Sequence, residues 1–442
     1  MALQPTTLLQ GPAQRQGQPM KPGQSLRPGQ TPAVAELAGA LDIGTSKITC
    51  IIAKAHDDVL TEICSYATEE SRGIDRGEIV HLDDAAAAVA AAITKAQAAA
   101  GLECRKYFVG VAGKRSQGLK SRGVGTLSRE NHEITETDVL LALKAARKIS
   151  LPPDQQIIDS VPQSFTVDDS PGLRNPVGMT GNRLDAEIYL ATDSISSVRN
   201  VGVCMMKAGY RCESVLFEPF ATAEAVLTPD EKQLGTVQID IGEGTMNVVV
   251  YYGGAPRYAR VLPVGGGQIV RDVAIGLSTT VAAARDLVHN RGVACDTLIG
   301  AMEAKQVLDV PTPDSTTPHK CTLGKLCYII ECRAEEMFEI AKKEIQKSGA
   351  ANYSTAGVVL TGGTALLKGI TNKAEQVFDT GARVGRAKAF TNHPVLGENP
   401  AYATAIGLLA YGVRVRGLIE KEQPNPLVDG VLKIYNRIRE FF

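Results

Sequence analysis

Tryptophan is absent from the 442 residues, and aromatic side chains make up only 5% of them. So few rings leave little for unpaired bases to stack on. There is no basic excess either: 47 Lys and Arg stand against 48 Asp and Glu, which is not the balance that neutralises a phosphate backbone. A nucleic-acid partner is not expected. No run of about 18 uninterrupted apolar residues occurs, so no helix is expected to span a bilayer. Residues 1–31 lack the basic start, apolar run and small-residue cleavage site of a secretory signal, which predicts a chain that neither spans nor crosses the membrane. The nine cysteines are scattered from Cys50 to Cys332 without a CxxC pair. An odd, dispersed set argues for a reducing compartment, the cytoplasm, rather than a disulfide framework. The densest His/Cys group, His319, Cys321, Cys327 and Cys332, lacks the paired spacing of zinc ligands and reads as thiols buried on a strand and a helix. No Ser/His/Asp set or Cys/His pair is recognisable as a catalytic engine.

What is present is a chain long enough for two lobes of ordinary size. Residues 1–37 repeat Gln, Pro and Gly with almost nothing large and apolar, and are expected to be a disordered tail. Residues 41–54 (LDIGTSKITCIIAK) read as strand, tight Gly turn and β-branched strand. The Ala-rich residues 83–100 open on Asp and stop at Gly101, the signature of a helix. From residue 103 come short strands, a charged helix near 136–148 and a Pro/Gly-rich run, NPVGMTGNR, expected to form a separate small α+β unit. Residues 237–251 (VQIDIGEGTMNVVVY) then restart the first pattern, about two hundred residues after LDIGTS. A spacing that long predicts a duplicated domain, since stacked repeats recur at about 20–50 residues. Helices are expected around 270–289, 325–347 and 400–411, with a buried strand at 357–361.

A strand that ends in Asp and turns through Gly presents several backbone N–H groups to one concavity, which suits a phosphate. The Asp carboxylate can hold Mg²⁺ through waters, because that ion keeps much of its hydration. Asp42 and Asp240 are the metal candidates, and Gly44, Thr45, Ser46 and Lys47 with Gly242, Glu243, Gly244 and Thr245 the phosphate candidates. Either hairpin alone reads more readily as an ordinary surface turn. Two at matching places, with a strand ending in Thr361 and then Gly362 and Gly363, where a flat adenosine can approach the backbone, describe one nucleotide cleft.

This pattern resembles the actin, Hsp70 and sugar-kinase superfamily. Within it the chain resembles the FtsA family of cell division proteins through SRGIDRGEIVHLDDAAAAVAAAI, NPVGMTGNRL, LPVGGGQIVRDVAIGLSTT, VVLTGGTALLKGI and NPAYATAIGLLAYG. The resemblance implies an α/β, two-lobed actin-like (ribonuclease H-like) fold, with a small α+β domain inserted in the first lobe and a smaller subdomain in the second. The implied divisions are 38–102 with 185–216 for the first lobe, 103–184 for its SHS2-like insert, 217–266 with 353–414 for the second lobe, and 267–352 for its subdomain. Residues 415–426 are the implied linker to an amphipathic helix over 427–442. The resemblance also implies ATP and Mg²⁺ as ligands, and head-to-tail filaments at the division site on the cytoplasmic face of the inner membrane. Its implied partners are anionic lipids, the C-terminal peptide of FtsZ and later division proteins. A pilus-assembly actin relative and a small-molecule kinase are the alternatives, and any hydrolysis is at most that of a weak ATPase. Besides the long Gln/Pro/Gly tail, which the family's usual plan does not need, two departures stand out. The turn DIGEGT carries Glu243 where the family usually has Gly, although actin also has an acidic residue in the corresponding turn. The helix that clamps adenine in relatives carries Arg285 and Val288 in place of Glu and Lys, and Arg285 either stacks on a base or pairs along its helix.

In the last segment, at 100° per residue, Leu427, Val431, Ile434, Tyr435, Ile438 and Phe442 share one face. Lys433 and Arg437 lie opposite, with Arg439 at the edge and Phe441 beside Phe442. Apolar side chains ringed by basic ones suit a helix in the membrane interface; docking on the protein's own surface is the alternative. The stretch ECRAEEMFEIAKKEI resembles the helix that receives the acidic FtsZ peptide, with Arg333 at the basic position. An ordinary solvated helix face is the other reading of it.

Overall fold

The computed structural model describes residues 36–56, 59–127, 133–312, 319–353, 355–387 and 393–421. The expected tail over 1–37 lies outside them apart from its last two residues, and the amphipathic helix over 427–442 lies outside them entirely.

The two Asp-Gly hairpins form with the same geometry. Glu36–Ile43 pairs antiparallel with Lys47–His56, ending at Asp42 opposite Thr49 and Ile43 opposite Ile48. Thr236–Ile241 pairs antiparallel with Met246–Tyr252, ending at Asp240 opposite Asn247 and Ile241 opposite Met246. Each turn closes with one bond, Gly44 N–H to the Lys47 carbonyl at 3.1 Å and Gly242 N–H to the Thr245 carbonyl at 3.0 Å. Each first strand also takes a parallel neighbour on its other edge, Lys106–Val111 in one lobe and Val358–Thr361 in the other. The strands are buried along most of their length, which is why they read as near-continuous apolar runs rather than as alternating ones.

The first sheet has five strands in the order Arg211–Phe217, Lys106–Val111, Glu36–Ile43, Lys47–His56, Val59–Glu70. Helix Leu82–Ala100 buries Ala85, Ala88, Val89, Ala92, Ile93 and Ala96 against it. The helix ends at Gly101, whose φ of 65° lets its N–H turn back to the Gln97 carbonyl. The second sheet has nine strands, from Ala382–Val384 through Val358–Thr361, Thr236–Ile241, Met246–Tyr252 and Ala255–Leu262 to Gln117–Thr126, Arg183–Ser194, Gln155–Val167 and Ser170–Leu173. Between the lobe's own strands and the last four, one residue pair, Arg260 with Gln117, makes the connection.

The boundaries of the insert differ from those expected at 103 and 184. Lys106–Val111 belongs to the five-stranded sheet of the first lobe, and Arg183–Ser194 runs the length of the insert's sheet, pairing with both Gln117–Thr126 and Gln155–Val167. Strand composition does not reveal which sheet a strand will join. In the second lobe the apolar run near 270–289 is two helices, Gly266–Gly276 and Val281–Arg291. Thr280 caps the second by accepting from the Ala283 N–H, and Thr279 donates to the Pro311 carbonyl at 2.6 Å. The expected linker also starts too early: helix Ala403–Lys421 runs through 415–421, and Arg416 holds it to Glu36 and Glu213 at 3.5 and 3.6 Å.

Candidate functional site

The matched hairpins point their turns at one another across a cavity of about 460 Å³. All twelve residues named from the sequence line it: Asp42, Gly44, Thr45, Ser46 and Lys47 on one side, Asp240, Gly242, Glu243, Gly244 and Thr245 on the other, with Gly362 and Gly363 at the end of the third strand. The two glycines differ in what they do. Gly362 has a φ of 84°, and a Cβ there would stand 2.4 Å from the Ile241 carbonyl oxygen, so it lets the third strand pass close to the second hairpin. Gly363 faces open space, with nothing within 4 Å of where its Cβ would be. Beside them Ile269, Val270, Val288, Leu366 and Leu367 give the cavity an apolar wall.

The floor is acidic. Asp240 is buried, with Oδ1 accepting from the Thr361 hydroxyl at 3.0 Å and Oδ2 from the Thr404 hydroxyl at 3.2 Å. Burial raises its pKa against those two bonds and against Lys47. Asp42 is pushed up to about 7, by burial first, with Lys47 opposing and Asp240 adding to the rise. Lys47 is pushed down by burial despite both carboxylates, and its ammonium lies 4.1 Å from the centre of the Tyr402 ring. Such a cluster suits a cation better than it suits itself, because every carboxylate in it ionises against its surroundings.

Sequence reasoning missed a third carboxylate, Glu218. It lines the cavity at the start of helix Glu218–Val226, and its pKa is raised well above the ordinary value, by burial first and then by Asp42 and Asp240. Asn247 Nδ2 donates to it at 3.5 Å, while Asn247 Oδ1 is buried without a partner. The available signal was positional. Glu218 directly follows strand Arg211–Phe217, and ligands of α/β sheets gather beyond the carboxyl ends of strands.

The two departures meet. Arg285 lines the cavity, and its guanidinium grips the Glu243 carboxylate with both NH groups, at 2.8 and 3.1 Å. Its partner is therefore across the cavity wall rather than along its own helix. Away from the cleft, Arg333 lies on helix Leu323–Lys347, 27% exposed, bonded to Asp272 and, at 2.6 Å, to Glu336. Cys321 and Cys327 are buried and Cys332 is exposed. Among the described residues the set of ligand atoms that does converge is Cys295, Asp296 and Glu331, where Glu331 already pairs with Lys373 at 2.8 Å.

Residues 237–407 match the family model described as cell division protein FtsA, and residues 113–192 match that of the SHS2 domain inserted in FtsA. The cell division protein FtsA of Pseudomonas aeruginosa is 32% identical over 85% of this chain and 88% of its own length. That of Neisseria meningitidis serogroup B is 35% identical over 85% and 90%. The chain belongs to the FtsA family. FtsA proteins act in cell division, and the matched SHS2 segment follows the sheet membership seen here, from Gln117–Thr126 to Arg183–Ser194, rather than the limits 103–184. The FtsA fold of this chain is actin-like. A chain of the PilM–PilN type IV pilus biogenesis complex superposes with a TM-score of 0.60 at 16% identity, covering 87% of this chain and 99% of that one. MreB5 of Spiroplasma citri bound to ADP superposes with a TM-score of 0.53 at 11% identity, covering 87% and 98%. Identity that low speaks for the fold alone, so the pilus-assembly reading gains nothing from the better of the two superpositions.

Proposed function

We propose that this division protein binds ATP with Mg²⁺ in the cleft between its lobes, polymerises head to tail on the cytoplasmic face of the inner membrane, ties the FtsZ ring to it and helps recruit later division proteins. The observation that carries the reading is the convergence of two identically closed hairpins on one cavity whose floor holds Asp42, Asp240 and Glu218. The cavity fits a nucleotide in three respects. Its turns place glycines, which carry no side chains, on the cavity lining, its apolar wall suits a base, and its carboxylates and the unpartnered Asn247 Oδ1 have bonding capacity to spare. Bound Mg²⁺ would neutralise phosphate charge. Asp42 and Asp240 would hold it through waters, and Lys47 would balance what remains. Glu218 is the group suited to orient a water for slow hydrolysis, which Glu218→Gln would abolish while sparing ATP binding.

ATP acts here chiefly as a conformational ligand, favouring whichever arrangement of the lobes binds it better. Head-to-tail association is a heterologous contact, which generates open filaments. Leu427, Val431, Ile434, Tyr435, Ile438, Phe441 and Phe442, with Lys433, Arg437 and Arg439, form the lipid-binding face. Arg333 receives the acidic FtsZ peptide by exchanging Asp272 and Glu336 for the incoming carboxylates. Electron microscopy of the full chain on an anionic lipid monolayer tests the whole: filaments are expected with Mg-ATP and not without nucleotide. Filaments indifferent to ATP, or bound ATP with no filaments, would sink the proposal.

A further inference from the structure

A carboxylate in a turn that is to receive phosphate is a conflict of charge, and Glu243 is such a carboxylate. The fold answers it in two ways. Gly267 has no side chain, and a Cβ there would stand 2.9 Å from the Glu243 carbonyl oxygen and 3.0 Å from Oε1. The Glu243 carboxylate can therefore lie against the N-terminal turn of helix Gly266–Gly276, the end of the helix whose dipole favours negative charge. The Gly266 and Gly267 N–H groups are bonded to the Gly242 and Glu243 carbonyls at 2.8 and 2.9 Å, so loop and helix are one assembly. From the other side comes Arg285 on helix Val281–Arg291. Its two NH groups take one carboxylate oxygen each, the planar two-point match that makes such pairs strong. Both residues line the cavity, and neither is sealed from water, with 23% of the Glu243 side chain and 41% of the Arg285 side chain exposed.

We infer that Glu243 and Arg285 are one unit that sets the cleft's affinity for polyphosphate: Arg285 neutralises the carboxylate so that the second hairpin can accept a nucleotide's phosphates. Arg285 is thus a positioning residue acting through Glu243. The inference rests on the nucleotide reading above and deepens it. The effect must grow with phosphate charge, because a bare Glu243 repels a triphosphate more than a diphosphate and leaves an uncharged nucleoside alone.

The test is calorimetric titration of the full chain with Mg-ATP, Mg-ADP and adenosine, for the wild type, Arg285→Ala, Glu243→Gln and the double variant. Arg285→Ala is expected to weaken Mg-ATP by about tenfold or more, Mg-ADP by less and adenosine not at all, tenfold being about 1.4 kcal/mol. Glu243→Gln should bind Mg-ATP as well as the wild type or better, and adding it to Arg285→Ala should restore the lost affinity. A merely structural bridge behaves otherwise: the two single variants lose all three ligands alike, and the double variant recovers none of them. That pattern, or Arg285→Ala binding Mg-ATP like the wild type, overturns the inference while leaving the nucleotide reading intact. A wild type that takes up no Mg-ATP overturns both. Unchanged melting temperatures of the unliganded variants identify losses that are not unfolding.

Discussion

At the scale of single residues, Asp159 carries a charge the fold does not want. It sits on strand Gln155–Val167, where Oδ1 accepts from the Tyr411 hydroxyl at 3.0 Å and the Ser160 N–H at 2.7 Å, while Oδ2 is buried with no partner. Burial pushes its pKa up to about 6 despite those bonds. A raised carboxylate pKa means the folded state holds a proton that the unfolded chain has released. Its contribution to stability is greatest at acid pH, falls as pH rises above the ordinary value of 3.8, and levels off once pH passes about 6. Asp159→Asn keeps an oxygen for Tyr411 and removes the charge. It should raise stability at pH 8 by on the order of 2 kcal/mol and change little at pH 4. Urea unfolding at the two pH values measures this, and an equal effect at both would show that ionisation plays no part. Other single residues show what a sequence can and cannot reveal. Asp42 and Asp240 were legible because strand, carboxylate and turn are contiguous. Glu218 was not, because its meaning lies in its neighbours across the cleft. Glu243 and Arg285 read as two unrelated anomalies, since a pair 42 positions apart leaves no local trace.

At the scale of elements, the proposed nucleotide site depends on how closely the two hairpins approach. Gly244 sets that distance: a Cβ there would stand 2.6 Å from Thr45 Oγ1 and 2.9 Å from the Arg76 Cα. Backbone cannot yield as a flexible side chain does, so Gly244→Ala should force the turns apart. The expected cost is about 1–3 kcal/mol of stability, the usual scale of overpacking, together with loss of ATP affinity. Gly363→Ala is the informative contrast. Its Cβ meets nothing within 4 Å, so the variant should keep wild-type stability and yet bind ATP less well, its methyl group filling ligand space. Denaturant midpoints and ATP titrations of both variants check this; a stable, fully binding Gly363→Ala would remove that glycine from the site. Hairpins and the Ala-rich helix were legible because β-branched runs, Gly turns and caps act within a few residues. The limits of the insert were not, because sheet membership is settled by strands distant in sequence, as Lys106–Val111 shows by pairing with Glu36–Ile43 and Arg211–Phe217. Nor was the reach of helix Ala403–Lys421, which continues past the expected linker start because Arg416 finds Glu36 and Glu213 on the first lobe.

At the scale of the whole molecule, the proposed nucleotide cleft and the proposed lipid-binding segment belong to different parts of the chain, which makes their independence testable. The cavity is lined by residues between Asp42 and Thr404, and the apolar face begins at Leu427. Among the described residues no helix is long and apolar enough to cross a membrane, and the attachment proposed above is assigned to residues 427–442. On that proposal apolar side chains would act together with the charges of Lys433, Arg437 and Arg439, and the electrostatic part of the affinity would be screened by salt. Removing residues 427–442 should therefore leave ATP affinity and melting temperature unchanged while the protein no longer sediments with vesicles of anionic phospholipid. The full chain should sediment, less completely as salt rises, and weakly with vesicles of zwitterionic lipid alone. Charge reversal of Lys433, Arg437 and Arg439 together should reproduce the loss, whereas a helix docked on the protein's own surface would let both variants sediment as before. Parallel loss of ATP binding in the truncated chain would instead tie the segment to the fold, and the anchor would have to be sought elsewhere on the molecule.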